Sequence, residues 1–329
     1  MEEPLVDDPL QAHFNAVVKG MFEGRVVPLL GAGVNLCGRP ENWTWQHGDH
    51  TYLPSGDELA GFLAEYFEFP LSDEEGQGRR DLARVSQYAA VIQGSGPLYE
   101  ELHQLFDADY PPTRLHAFLA ELPSVQRERL GHAQYQLIVT TNYDDALERA
   151  FRVAGEPYDV VTYEAEGEHR GKFVHWPHEQ EPRLIERPNE YTDIAQADRT
   201  VILKMHGAVD RKDPDRDSYV ITEDHYIEYL ARTDISNLVP VTIAAKLRRS
   251  AFLFLGYRMR DWNLRVILQR IWGEQRLSYK SWAIQLEPEP IEQEFWNKRG
   301  VDILRMSLEE YVESLERELR APLGVGVGS

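Results

Sequence analysis

Four short stretches carry residue types suited to chemistry. Asn142 and Asp144 lie two apart in Thr140-Thr-Asn-Tyr-Asp144, and His206 precedes a glycine in Lys204-Met-His-Gly207. Gly31-Ala32-Gly33 follows the apolar run 26–30, and Gly256-Tyr257 follows the apolar run 251–255. Each stretch directly succeeds a segment that reads as a buried strand. In a parallel sheet such strand ends converge along one edge, where ligands bind. Small residues there let the backbone come close to a ligand, and the N–H groups of such a turn face a pyrophosphate. The full G-x-G-x-x-G spacing is not met, because Leu36 takes the third glycine's place. Each stretch also has a plainer reading. Asn142 and Asp144 can cap the helix that follows. His206 can be a satisfied turn histidine, and Lys204, in mid-strand, can point to solvent. It is the placement of all of them after apolar strands that favours a ligand site.

The elements that must position these residues follow from hydrophobic spacing. Phe14, Val17, Val18 and Met21 predict a helix over 10–23, stopped by Gly24. The segment 35–54, with Trp43, Trp45, His47 and His50, reads as a loop over the nucleotide end of the sheet. Its tryptophans can stack on a ligand ring or pin the loop to the core. Ser55-Gly-Asp-Glu58 has the form of a capping box, opening a helix with Leu59, Phe62, Leu63, Tyr66 and Phe67 on one face. Helices follow at 82–93, 97–106 and 113–121. Strands are expected at 136–140, 158–163, 201–205, 219–221, 282–285 and 301–304. A helix at 145–153 is closed by Gly155, further helices run to Arg249, and another carries Leu264, Ile267, Leu268 and Ile271. The tail 324–329 reads as frayed. The segment 164–200 is polar and long, as a lid or insertion would be. Its His169, His175 and His178 lack metal-ligand spacing and read as solvated loop residues. Arg258, Arg260 and Arg265 can reach phosphates. Equally, Arg260 and Asp261 can pair or cap a helix.

Strands alternating with helices predict an α/β fold: a Rossmann-like doubly wound parallel sheet. One domain over 1–329 is expected, with a small helical subdomain within 55–130 and a lid or polar insertion over 164–200. The chain has 329 residues, 42% of them hydrophobic, which suffices for a sizeable core. A single cysteine, Cys37, excludes a disulfide framework and a four-cysteine zinc site. With 55 acidic and 35 basic residues the net charge is −20, which repels nucleic-acid backbones and suits a basic protein partner. No apolar run reaches membrane-spanning length and the acidic N-terminus has no leader pattern, so a cytoplasmic protein is expected.

Gly31-Ala-Gly33, Thr141-Asn-Tyr-Asp144 and His206-Gly207 together resemble, in order, the Gly-Ala-Gly, Gln-Asn-x-Asp and His-Gly motifs of sirtuins. Phe254-Leu-Gly-Tyr-Arg-Met-Arg-Asp-Trp-Asn-Leu264 looks like the prokaryotic sirtuin-like branch, many of whose members are antiviral NAD-consuming effectors. The resemblance covers roughly residues 24–272. Four features depart from sirtuin deacylases. One cysteine cannot build their zinc module, Asn35 stands where serine is common, and Gly256-Tyr257 replaces Gly-Thr-Ser. The Gly-Ile-Pro-Asp-Phe-Arg continuation of the first loop is also absent.

The resemblance implies an NAD glycohydrolase with NAD as substrate and no metal. Asn142 would position water and His206 would be the general base on a ribose hydroxyl, its ordinary pKa lying near working pH. Asp144 would accept from the nicotinamide carboxamide. Gly31, Ala32, Gly33 and Asn35 would line the pyrophosphate, and Gly256 and Tyr257 the adenosine end. A sensor that binds NAD or an NAD-derived signal without hydrolysis is the alternative, and a protein deacylase a third. Longer members of this branch carry a fused sensing domain, for which no room is expected here. Activation would therefore come from homo-oligomerisation or a separate ATPase-type or Argonaute-like subunit.

Overall fold

The computed structural model describes residues 8–70, 77–194, 196–231, 239–259, 265, 268 and 279–321. Arg260, Asp261, the helix positions Leu264, Ile267 and Ile271, and the tail 324–329 lie outside the described residues. Leu268 is described and buried in the core.

Among the described residues a nine-stranded sheet organises the chain. Its strands are β1 (Val26–Leu30), β2 (Leu137–Thr140), β3 (Tyr158–Tyr163), β4 (Phe173–Trp176), β5 (Arg183–Ile185), β6 (Thr200–Lys204), β9 (Ala251–Leu255), β10 (Ser281–Gln285) and β11 (Val301–Arg305). A separate hairpin pairs β7 (Gly207–Ala208) with β8 (Ser218–Tyr219). The order across the sheet is β11-β10-β9-β1-β2-β6-β3-β4-β5. From β11 to β3 all neighbours are parallel, and β4 and β5 continue the edge antiparallel. The sheet is Rossmann-like but mixed. Two strands come from the polar 164–200 segment: β4 is a mostly buried run of only four residues, and β5 closes the edge with Arg183 exposed, so neither stands out as a strand pattern.

β1, β2, β6 and β9 are buried along their whole length, which explains their nearly continuous apolar runs. Side chains alternate between two cores. Val27, Leu29, Val139, Leu203 and Phe254 face one way, toward α8 (Val241–Arg248) and Trp296 of α9 (Pro290–Asn297). Val26, Leu30, Ile138, Ile202 and Leu253 face the other. There they meet α1 (Pro9–Phe22), α5 (Arg114–Leu130), α6 (Ala146–Ala154) and α10 (Leu308–Arg320). Pro28 has no N–H to give a ladder, and the β1–β2 register begins just past it, at Leu29–Val139.

A third core joins α2 (Gly56–Tyr66), α3 (Leu82–Gln93) and α4 (Ser95–Phe106) to the loops after β2 and β6. Phe106 of α4 lies 5.4 Å from Tyr143, which meets Tyr219 edge-on at 5.3 Å. The capping box at α2 is present, with Ser55 Oγ accepting from Glu58 N at 3.2 Å and Glu58 Oε2 accepting from Ser55 N at 2.9 Å. Glu58 also accepts from Arg39 and from Trp45 N. Burial would raise its carboxyl, but these bonds outweigh that and hold it down at about 2. The 35–54 loop is thereby tied to α2.

Candidate functional site

The chain crosses from β1 to β2 on one side and reaches β9 on the other. The sheet's switch point is therefore at the carboxyl end of β1, where open α/β folds bind ligands. Gly31 leaves β1 and a short 3₁₀ turn follows over Ala32–Leu36. Gly31 N donates to Leu255 O at 2.9 Å and Gly33 N to Gly256 O at 3.0 Å. A Cβ on Gly31 would lie 2.7 Å from Gly256 O, and one on Gly33 2.8 Å from the same atom. Gly256 has φ +72°, and a Cβ there would come within 2.4 Å of Val34 N. These glycines are small because two loops interlock, with Ala32 left exposed on top. Loop-on-loop packing is thus a second reason, beside the expected approach of a ligand, for small residues here.

Tyr257 lies against Gly31, and its hydroxyl bonds Thr141 Oγ1 at 3.0 Å, bridging the ends of β9 and β2. Beside it, Asn142 Nδ2 donates to Gly31 O at 3.3 Å, and its backbone N to Thr140 Oγ1 at 3.1 Å. Asp144 is buried. Its Oδ1 accepts from Ala146 N at 3.0 Å, at the first residue of α6, whose N-cap is Asp145. Its Oδ2 accepts from Asn35 Nδ2 at 2.8 Å. Asn35 Oδ1 is buried with no partner among the described residues.

His206 follows β6, the neighbour of β2. It is 5% exposed, with Tyr226 and Tyr229 edge-on at 5.5 and 5.8 Å, and its Nε2 is buried without a hydrogen-bond partner among the described residues. No hydrogen bond joins it to Asn142 among those residues. Burial lowers its pKa to about 3, so the imidazole is neutral well below working pH. That pKa lies below the ordinary value of 6.5 on which the sequence reading rested, because the ring is desolvated.

The structure brings together Gly31, Gly33, Asn35, Asn142, Asp144, Gly256 and Tyr257, with His206 one strand further along the edge. It gives other sequence candidates structural work. Trp45 is buried among the α2 residues, and Trp43 lies under Arg39 at 4.4 Å, so both pin the loop. Arg258 pairs with Asp57 at 3.1 Å, and Arg265 covers the Phe295 ring at 4.3 Å. His175, expected in solvent, is buried between Asp159 and Tyr191. Among the described residues no group of histidine, cysteine and carboxylate side chains is arranged to hold a metal ion. No described helix is long and apolar enough to cross a membrane. Lys204, whose plainer reading was a side chain in solvent, is instead buried and paired with Glu148 at 2.8 Å, a partner that sequence reasoning missed. The available signal was a lysine closing an otherwise apolar strand.

Buried histidines make stability depend on pH. Burial lowers His206 to about 3, and His13 and His116 to about 4. Their ordinary value is 6.5, so between 6.5 and about 4 the unfolded chain binds more protons than the folded one. Stability is then full above 6.5 and falls on acidification, by up to ~1.4 kcal/mol per pH unit for each histidine. Glu164, raised to about 7 mainly by burial and further by Asp210, acts in the opposite sense, since the folded state keeps its proton between 4.5 and 7. Glu148 and Asp217, also raised mainly by burial, act in the same sense as Glu164, so the histidine part is read from a variant. The change in urea midpoint from pH 7.5 to pH 5 should be less destabilising in His13→Gln than in wild type, and an equal change would refute the histidine contribution.

A model of the SIR2-like domain family matches residues 136–304. The chain belongs to the SIR2-like family. The matched span includes Asn142, Asp144, His206, Gly256 and Tyr257. Defense-associated sirtuin 2 of Bacillus subtilis is 24% identical over 308 residues, 91% of this chain and 25% of that protein. NAD(+) hydrolase ThsA of Enterococcus faecium is 29% identical over 196 residues, 58% of this chain and 32% of that one. The protein of the same name from Acinetobacter baumannii is 26% identical over 258 residues, 78% and 41% of the two chains. This SIR2-like chain thus spans between a quarter and two fifths of the relatives' lengths.

Proposed function

We propose that this chain hydrolyses NAD at the nicotinamide–ribose bond, giving nicotinamide and ADP-ribose, and serves as a cytoplasmic effector of abortive antiviral defence. The names of its relatives, two NAD(+) hydrolases and a defence-associated sirtuin, support the reading. The observation that carries it is that two of the buried atoms without partners among the described residues, His206 Nε2 and Asn35 Oδ1, lie at the carboxyl edge of the sheet. Buried polar atoms are rarely left unpaired unless something else, such as a ligand, completes them.

Breaking the bond leaves neutral nicotinamide and develops positive charge on the ribose. Asn142 holds water near the anomeric carbon. His206 enters neutral and accepts from a ribose hydroxyl through Nε2. Asp144 keeps lone pairs beyond those used by Asn35 and Ala146, and takes the carboxamide N–H. Gly31, Ala32, Gly33 and Asn35 line the pyrophosphate, while Gly256 and Tyr257 bound the adenosine. We read the chain as one NAD-binding unit, walled by the helices of 55–130 and the 164–200 segment.

Activation by a separate subunit, ATPase-type or Argonaute-like, or by self-assembly, goes with this reading. The charge of −20 favours a basic partner surface. Turnover should be low in a dilute monomer and rise sharply in assembled fractions, measured as nicotinamide release after size separation. Equal turnover in both fractions would exclude activation by assembly. One observation favours a non-hydrolysing sensor instead: the Asn142 amide is already engaged on Gly31 O. Saturable NAD binding by calorimetry without turnover in any fraction would select that reading. A deacylase is least supported, since the zinc module cannot be built from one cysteine.

A further inference from the structure

Lys204 is 1% exposed at the end of β6. A desolvated ammonium persists only with partners, and it has two. Its Nζ donates to Glu148 Oε1 at 2.8 Å and to the backbone carbonyl of Asp144. Glu148 lies in the first turn of α6, four residues after Asp144. Lys204 stands in register with Thr140, two residues before Asn142, and is itself two residues before His206. The ammonium therefore ties β6 to the loop after β2 where both reacting side chains leave the sheet. That loop carries the rest of the site with it. Asp144 holds Asn35, and Asn142 holds Gly31 O. An apolar pair of similar volume would often serve stability as well as a buried ion pair does, so stability alone does not account for a lysine at this position.

We propose that Lys204 is a positioning residue for hydrolysis: by holding the Asp144 carbonyl it keeps the Asn142–Asp144 loop in register with His206. This rests on the NAD-hydrolysis reading above.

The test compares the wild-type chain with Lys204→Met, Glu148→Gln and the double variant Lys204→Met/Glu148→Met. Lys204→Met leaves a buried carboxylate unpaired and lowers the melting temperature. The double variant removes both charges, and its melting temperature should return close to wild type. Its kcat for nicotinamide release should nevertheless stay down by ~10²-fold because Asn142 is misplaced, and KM should rise as well, since Asp144 and Asn35 move with the loop. Amide exchange at Asn142, Tyr143 and Asp145 should quicken by about tenfold as the loop loosens, while β2 stays protected. Glu148→Gln keeps the bond to the Asp144 carbonyl and should keep kcat within about threefold. Recovery of kcat and of slow exchange together with stability in the double variant would overturn the proposal. So would a loss in Glu148→Gln as large as in Lys204→Met. If the wild-type chain shows no turnover in any fraction, the hydrolysis reading fails, and the exchange rates alone decide whether Lys204 holds the loop.

Discussion

His206→Ala should reduce nicotinamide release by ~10²–10⁴-fold, the usual worth of a positioned acid–base group. Asn142→Ala should cause a loss of similar size by a different route. The two variants separate in binding. His206 packs against Tyr226 and Tyr229, and its Nε2 has no hydrogen-bond partner among the described residues, so its removal costs packing but breaks no hydrogen bond through that atom. Asn142 holds Gly31 O, so its removal also loosens the first loop and should raise KM as well as lower kcat. His206→Asn, smaller but polar, should not restore the rate. Initial-rate kinetics on folded variants check this. Release by His206→Ala at the wild-type rate would remove His206 from the reaction.

Gly256→Ala should damage fold and site together. The new Cβ would sit 2.4 Å from Val34 N and 2.8 Å from Gly33 C, at φ +72°. Left-handed strain and overpacking together cost about 2–5 kcal/mol. The interlocked Gly31–Gly33 loop must shift to relieve the clash, and NAD or ADP-ribose binding should weaken with it. Gly48 is the control. It has φ +87° but open space around its Cβ position, so Gly48→Ala meets the conformational cost without the clash. Thermal melts and calorimetry should show a large loss for Gly256→Ala and a small one for Gly48→Ala. Equal losses would mean that the loop contact matters less than backbone conformation.

The strands that carry the site were legible because burial on both faces demands continuous apolar runs, as in Val26–Leu30 and Ala251–Leu255. The alignment of Gly31, Asn142 and His206 on one edge followed from parallel topology. Partnerships were not legible. Lys204 meets Glu148 across 56 residues and Asn35 meets Asp144 across 109, and no local pattern encodes such distances. The β4 strand was hidden because Phe173–Trp176 is a short run within a polar segment, and β5 because an edge position tolerates the charge of Arg183, so 164–200 reads as loop. The desolvation of His206 depends on Tyr226 and Tyr229, which come from a helix, α7 (Glu223–Ala231), that the strand pattern around His206 does not mention.

Mass-resolved incubation of the wild-type chain with NAD, across monomeric and assembled fractions and without any acylated peptide, tests the central claim most directly. Nicotinamide and ADP-ribose should appear in equal amounts as NAD disappears. NAD left intact in every fraction, while ADP-ribose or NAD still binds saturably, would contradict hydrolysis.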